Sequence, residues 1–213
     1  MRATKPLTFA AMSRRAALTG AALAAMVGLA GCAGQSGAAA EGDMGMGAPE
    51  GAKVTVVEYA SVTCGHCAVW QAQVWPEFKA KYVDTNKVRY VFREFPTDPI
   101  PVATAGFLMA RCAGEAKYFD VIHEIMASQP ELFSGAPPRT VLLRIAQGAG
   151  LTEEQFQTCV TDQDSIKAME TRVRAGIDAG IQGTPTFMVN GVKVADPSLA
   201  SLSEKIDAAL AAS

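Results

Sequence analysis

Two cysteines with two residues between them, placed directly after a β-rich segment, restrict the fold of this chain more than any other feature. Residues 53–59 are mostly apolar and β-branched, which is typical of a buried strand. Cys-Gly-His-Cys follows at 64–67, and residues 64–82 have the apolar spacing of a helix. A helix that begins at Cys64 directs unpaired N–H groups and the positive end of its dipole at that thiol. Both favour a thiolate, which is the nucleophile of thiol–disulfide exchange.

Other interpretations of the cysteine pair fit less well. Attachment of a c-type haem is excluded, because Ala68 stands where that motif needs a histidine. A zinc site needs a second pair of ligands, but Cys112 and Cys159 are isolated and the only histidines are His66 and His123. A purely structural disulfide in so small a ring would add little stability. We therefore expect neither a metal nor another cofactor.

The N-terminal segment predicts export. A positively charged start is followed by the apolar run Ala16–Ala30, which is too short to span a bilayer comfortably. We interpret residues 1–31 as a signal peptide. Leu-Ala-Gly-Cys at 29–32 resembles the lipobox of bacterial lipoproteins, in which Cys32 is acylated, although an ordinary cleavage site before a cysteine is the alternative. Arg14-Arg15 is a partial match to a twin-arginine signal, so the export route stays open.

Residues 32–51 consist mainly of Gly, Ala, Ser and Met, and we predict a flexible tether there. Met44 and Met46 could bind Cu(I) through their sulfur atoms, but two methionines in a Gly-rich linker are more simply linker. The net charge of −2 shows no basic excess, so no nucleic-acid partner is expected.

The order of predicted elements indicates an α/β fold. A second strand at 87–95 completes a βαβ unit with parallel strands, and Pro76 is expected to kink the helix between them. A hairpin with an Asn-Gly turn follows at 186–195, and a helix capped by Ser198 closes the chain. The block between these units predicts helices at 103–111, 118–128, 139–147, 153–160 (with a capping box, Thr152 and Gln155) and 166–179.

Two segments together resemble the DsbA family of thioredoxin-fold proteins: Glu-Tyr-Ala-Ser-Val-Thr-Cys-Gly-His-Cys at 58–67 and Gly-Thr-Pro-Thr-Phe at 183–187. The resemblance covers about residues 50–212. It implies a thioredoxin-like fold (βαβ plus ββα) at 52–97 and 181–212, with an inserted helical domain at 98–180. It also implies a thiol–disulfide oxidoreductase whose redox-active pair is Cys64 and Cys67.

The resemblance assigns roles to further residues. Pro185 should be cis and face the cysteine pair, and the backbone beside it at Thr184 should bind the substrate peptide as an added strand. Glu58 should lie buried beneath the disulfide and exchange a proton with Cys67; the alternative is a strand-end carboxylate in solvent. We also expect His66, between the cysteines, to stabilise the Cys64 thiolate.

The chain departs from the best-known DsbA pattern, because Gly65 occupies a position where that pattern has proline. Gly-His between the cysteines, with Thr184 before Pro185, is similar instead to protein disulfide isomerase sites. Since the intervening pair tunes redox poise, the oxidising strength stays open.

Cys112 and Cys159, 47 residues apart in the helical block, complete an even number of cysteines in an exported chain. Exported cysteines are expected to pair, and some DsbA relatives carry a structural disulfide in their insert. We predict that pair here, with two free buried thiols as the alternative.

These expectations combine into a tethered dithiol oxidase that faces the periplasm or the cell exterior. Its substrates would be reduced exported proteins, and a membrane-embedded, quinone-coupled partner similar to DsbB or VKOR would reoxidise it. One alternative is a reductase or isomerase that uses the same site; the short Gly-rich linker leaves little room for the N-terminal domain through which bacterial isomerases of this fold dimerise. The other is a copper-handling or assembly lipoprotein with an idle thiol pair.

Overall fold

The computed structural model describes Met1 and residues 40–212. The predicted signal peptide, the lipidation site Cys32 and the first part of the predicted tether lie outside the described residues.

A mixed five-stranded sheet forms the centre of the described part, with the strand order β1-β3-β2-β4-β5. Its strands are β1 (Met44–Gly47), β2 (Thr55–Ala60), β3 (Arg89–Glu94), β4 (Thr186–Val189) and β5 (Val192–Val194). Strands β2 and β3 are parallel, whereas the other neighbouring strands are antiparallel. The predicted βαβ unit and C-terminal hairpin are therefore confirmed, and Asn190 and Gly191 have the positive φ angles that the predicted turn requires.

The crossover between β2 and β3 begins with α1 (Gly65–Gln73) and α2 (Trp75–Phe78), followed by a π-helical turn (Lys79–Val83). We expected one helix with a kink at Pro76, but the interruption lies at Val74, which caps both helices. Pro76 stands in the first turn of α2, where a missing N–H leaves no helical carbonyl unpaired. The proline therefore starts a new helix instead of bending an old one.

The helical insert lies between β3 and β4, and a last helix follows β5. The helices of the insert are α3 (Ile100–Cys112), α4 (Glu115–Ala127), α5 (Gln129–Phe133), α6 (Pro138–Gly148), α7 (Glu153–Thr161) and α8 (Gln163–Asp178). The helix after β5 is α9 (Leu199–Ala211). The predicted capping box of Thr152 and Gln155 is present, and Ser198 caps α9 as predicted. Helix α5 was not predicted, because one turn is too short for apolar spacing to show.

The C-terminal part of the predicted tether is folded, and this expectation was wrong for residues 43–47. Strand β1 pairs with β3, Met44 is buried, and Met46 packs against the core, so their sulfurs serve packing. Asp43 forms a half-buried ion pair with Arg93 at 2.8 Å. Because backbone pairing and a distant arginine stabilise this edge strand, its Gly-rich sequence contains little local sign of it.

The sheet has a large and a small buried face. On the large face, α1, α9 and part of the insert pack on side chains that include Val56, Tyr90 and Phe92, whereas Gly176 of α8 lies against Tyr59 on the small face. The small face holds Val57, Tyr59, Val91, Ile181 and Met188, with Phe95 packed against them. Alternation along a strand thus sends neighbouring residues to different environments.

Helices α3 and α7 of the insert are joined covalently. Cys112, the last residue of α3, forms a disulfide with Cys159 in α7, with 6.2 Å between their Cα atoms. This is the pair that the sequence predicts, and it leaves Cys64 and Cys67 as the free cysteines of the described part.

Candidate active site

Cys64 lies at the junction of β2 and α1 and is the N-cap of the helix. Its backbone is extended, and its Sγ accepts a hydrogen bond from the backbone N–H of Cys67 at 3.2 Å. A sulfur in this position takes the place of the side-chain oxygen that usually caps a helix. The motif therefore delivers one thiol to the positive end of α1, as the sequence predicts.

This environment lowers the pKa of Cys64 to about 6. The largest cause is a hydrogen bond from the Cys67 thiol, and the side chain of Thr184 and the backbone N–H groups of Cys67 and His66 act in the same direction. Partial burial opposes them. At neutral pH most Cys64 side chains are therefore thiolates, which are the reactive form.

Cys67 has the opposite properties, although it is only one turn away. Its side chain is fully buried, and burial raises the pKa of this thiol well above the ordinary value. The hydrogen bond to Cys64 and the negative charge of Glu58 raise the pKa further. The two thiols are thus differentiated: a half-buried nucleophile faces solvent and a protonated thiol lies beneath it.

Glu58 lies in β2 and is 2% exposed, so the predicted burial of this acid is confirmed. Burial raises the pKa of Glu58 to about 8, against the effect of a hydrogen bond from the Tyr90 hydroxyl; the charge of Cys64 adds to the rise. Such a carboxyl can both give and take a proton near neutral pH. Its proposed exchange with Cys67 remains a prediction, since the structure shows the electrostatic coupling of the two groups and not a transfer.

The second sequence motif meets the first at this site. The Thr184–Pro185 peptide bond is cis, and the carbonyl oxygen of Thr184 lies 3.5 Å from the Sγ of Cys64. Strand β4 begins directly afterwards and pairs with β2, with Thr186 opposite Tyr59. Residues that are 120 positions apart in the chain therefore form one surface around the exposed thiol.

The backbone of His66 contributes to the environment of the Cys64 sulfur. His66 is exposed, and it acts on the Cys64 sulfur through its backbone N–H, a group that almost any residue would supply. The role of its imidazole remains a prediction.

Two groups that support the loop before Cys64 were not found from the sequence. The amide of Gln129, at the start of α5, donates to the carbonyl oxygens of Val62 at 2.8 Å and Cys64 at 3.1 Å. The hydroxyl of Thr63 bonds to the loop after β3, at the carbonyl oxygen of Thr97, at 2.7 Å. Both contacts join distant segments, and no local pattern indicates them.

Tyr90 was also missed, although the sequence contained a usable sign. In the parallel register Val56 lies opposite Tyr90 and Glu58 opposite Phe92, so Tyr90 and Glu58 share one face of the sheet. Strand alternation in 53–59 and 87–95 could have placed a tyrosine hydroxyl near the buried acid.

Within residues 40–212, no three His, Cys, Asp or Glu side chains lie close enough together to hold a metal ion. None of the helices in that range is both long and apolar enough to cross a membrane.

Comparison with known proteins agrees with this architecture. The family model described as thioredoxin matches residues 39–208. A protein of Rickettsia bellii named as a protein-disulfide oxidoreductase is 36% identical over 172 residues, which cover 80% of this chain and 65% of the relative. The chain thus spans less than two thirds of that relative's length.

Solved structures give the same result. The crystal structure of α-DsbA1 from Wolbachia pipientis has a TM-score of 0.75 and 26% identity, and the match covers 82% of this chain and 94% of that one. Oxidised BdbD from Bacillus subtilis has a TM-score of 0.73 over 82% of this chain and 96% of its own; at 18% identity it supports the fold alone. The chain therefore belongs to the thioredoxin family, and within that family its fold is that of the DsbA proteins.

Proposed function

We propose that this chain is a protein thiol–disulfide oxidoreductase of DsbA type that works as a dithiol oxidase. In its oxidised form, a substrate thiolate attacks the Cys64 sulfur of the Cys64–Cys67 disulfide. A mixed disulfide forms at Cys64, and Cys67 leaves with the electron pair and takes up a proton. A second substrate thiolate then attacks the substrate sulfur and displaces Cys64 as a thiolate. The substrate loses two electrons and gains a disulfide, and the pair becomes a dithiol.

The contrast between the two thiols is the single observation that supports this direction. A pKa of about 6 for Cys64 means that the reduced site holds a stabilised thiolate. Stabilisation of the reduced form makes the oxidised form a stronger oxidant, and a low-pKa Cys64 leaves readily when the mixed disulfide is resolved. Because Cys67 is buried and Cys64 is partly exposed, a substrate thiolate can attack only the Cys64 sulfur of the disulfide.

In this scheme Glu58 supplies the proton that Cys67 takes up when it leaves the disulfide. When Cys67 leaves the disulfide inside the protein, its negative charge is costly without water. A neutral carboxyl with a pKa of about 8 can donate its proton there and recover it when the dithiol is reoxidised.

The substrate would bind beside Thr184 and Pro185. The Thr184 carbonyl lies next to the reacting sulfur, and an extended peptide could pair with the backbone there as an added strand. Such binding recognises the peptide backbone and depends little on the side chains of the substrate, which suits an enzyme with many unfolded substrates.

The location of this activity also belongs to the proposal. The export segment at 1–31 and the lipobox at Cys32 support an anchored protein outside the cytoplasm, acting on reduced exported proteins. Turnover then needs a partner that accepts two electrons, and a quinone-coupled membrane protein suits an anchored enzyme. Replacing Cys32 with Ala should release the protein from membranes or block its processing. Unchanged membrane attachment and no fatty-acid labelling of the wild type would exclude the anchor.

The direction is tested by mixing the purified oxidised protein with a reduced, unfolded protein that contains several cysteines. We expect stoichiometric formation of substrate disulfides, abolished in Cys64→Ala and retained when Cys112 and Cys159 are both replaced by Ser. A protein that leaves this substrate reduced, but reduces a disulfide-bonded one when supplied with a dithiol, is a reductase. Shuffling of wrong disulfides without net oxidation would identify an isomerase, and thiols inert in both assays would favour an idle pair.

A further inference from the structure

The geometry points to Tyr90 as a positioning residue for disulfide exchange: we propose that its hydroxyl orients the Glu58 carboxyl and thereby sets the pH range in which Cys67 can attack. This inference rests on the proposed function, because it concerns the proton exchange at the same thiol pair.

Placement follows from the strand register. Tyr90 and Glu58 lie on the same face of neighbouring strands, two register positions apart, and the hydroxyl donates to Oε2 of Glu58. Tyr90 is fully buried and Glu58 is 2% exposed, so bulk water does not compete for this hydrogen bond. The carboxyl is coupled electrostatically to both Cys64 and Cys67.

Rigidity follows from the aromatic side chains around Tyr90. Trp75 lies 4.7 Å from its ring centroid, Phe119 5.9 Å and Phe78 6.0 Å. A ring enclosed on several sides cannot swing away without opening the core. The hydroxyl therefore presents a fixed donor to the carboxyl, and the carboxyl cannot turn freely.

The charge of the donor decides the direction of the effect. Tyr90 is neutral, because burial and the adjacent Glu58 raise its pKa well above the ordinary value. A neutral donor stabilises the Glu58 carboxylate only in part, so burial still keeps the pKa of Glu58 near 8. Without the hydroxyl, the carboxylate would form only at higher pH, and the fraction of Glu58 that can accept the Cys67 proton at neutral pH would fall.

The test uses the full reduced protein and a nitrobenzoate disulfide, whose released thiolate is yellow. Attack by Cys64 releases the first coloured thiolate, and attack by Cys67 on the resulting mixed disulfide releases the second. Loss of a hydrogen bond to a charged group corresponds to about one pH unit. Tyr90→Phe should therefore slow the second phase roughly tenfold near pH 7, and the wild-type rate should return about one pH unit higher. The first phase should stay unchanged.

A matched control is available in the same core. Tyr118 is also fully buried, and its hydroxyl bonds to the buried Glu94 at 3.3 Å. Tyr118 contributes to the raised pKa of Tyr90, but its hydroxyl donates to Glu94 and not to Glu58. Tyr118→Phe should leave the pH profile of the second phase unchanged. In a Glu58→Gln background, Tyr90→Phe should have no further effect on that profile.

If Tyr90→Phe slows the second phase equally at every pH, the role of Tyr90 is merely structural and the proposal is overturned. A pH profile of Tyr90→Phe that equals that of the wild type would overturn it as well. Wild-type protein that never releases the second thiolate would instead contradict the proposed function. If Tyr90→Phe does not fold, the carbon-13 shift of the Tyr90 Cζ decides in wild-type protein. It should titrate together with Glu58, and a flat signal overturns the proposal.

Discussion

Replacing Glu58 with Gln should make the protein more stable, and increasingly so as the pH rises. The folded-state pKa of Glu58 is raised from an ordinary value of 4.5 to about 8, mainly by burial. The folded protein therefore holds a proton that the unfolded chain releases. The stability associated with that proton is fully present below pH 4.5 and is lost as the pH rises to about 8.

The magnitude follows from the same pKa values. One pKa unit corresponds to about 1.4 kcal/mol, so the free energy of unfolding of the wild type should fall by about 3 kcal/mol, relative to Glu58→Gln, between about pH 5 and about pH 8. Gln keeps the shape of the neutral carboxyl and can still accept from Tyr90. The two proteins should therefore be nearly equal in stability near pH 5.

The measurement is urea denaturation at several pH values in this range, on protein whose Cys64–Cys67 pair is oxidised so that neither thiol titrates. Oxidation removes the charge of Cys64, which is the smallest of the causes that act on Glu58, and leaves burial, the largest. Glu77→Gln serves as the matched control, because Glu77 is exposed in α2; its stability difference from the wild type should stay within a few tenths of a kcal/mol. A wild-type-minus-Glu58→Gln difference that does not change with pH would refute the reasoning. It would mean that the carboxyl is hydrated or charged in the folded protein.

Three other outcomes follow from the structure. On a non-reducing gel, Cys67→Ala should accumulate substrates bound through Cys64, whereas Cys64→Ala should capture none; the reverse pattern would assign the wrong nucleophile. Asp43→Asn should lower the free energy of unfolding by about 2 kcal/mol, because Arg93 loses a half-buried charged partner and β1 is held less firmly. An unchanged urea midpoint would show that this ion pair does not stabilise β1 and would support a flexible tether at residues 43–47. Replacing both Cys112 and Cys159 with Ser should cost about 4 kcal/mol in the same assay, from the loop of 47 residues that the disulfide closes, and a loss below about 1 kcal/mol would contradict that pairing.

The sequence predicted the central fold well, because short-range patterns encode it. Strands β2, β3 and β4 follow from β-branched and aromatic residues, and α7 and α9 from their caps at Thr152 and Ser198. The meeting of Cys64 with Thr184 could be expected only because two specific motifs point to one fold. Neither motif alone implies the contact.

The features that the sequence missed depend on contacts between distant segments. Strand β1 is Gly-rich and gains its order from β3 and from the Asp43–Arg93 ion pair. In the sequence Gln129 is an ordinary polar residue before a proline, and only the position of α5 in the fold places its amide against the carbonyl of Cys64. The hydrogen bond from Tyr90 to Glu58 needs the strand register, which a single sequence gives only indirectly.

The reduction potential of the Cys64–Cys67 pair tests the proposed oxidase most directly. It can be measured by equilibrating the protein with glutathione buffers at neutral pH and quantifying the dithiol. A stabilised Cys64 thiolate favours the reduced form, so we expect a potential between about −180 mV, the value of protein disulfide isomerase, and about −120 mV, that of a strongly oxidising DsbA. A potential near −270 mV, about that of thioredoxin, would show that the site is poised to reduce disulfides and would contradict the oxidase.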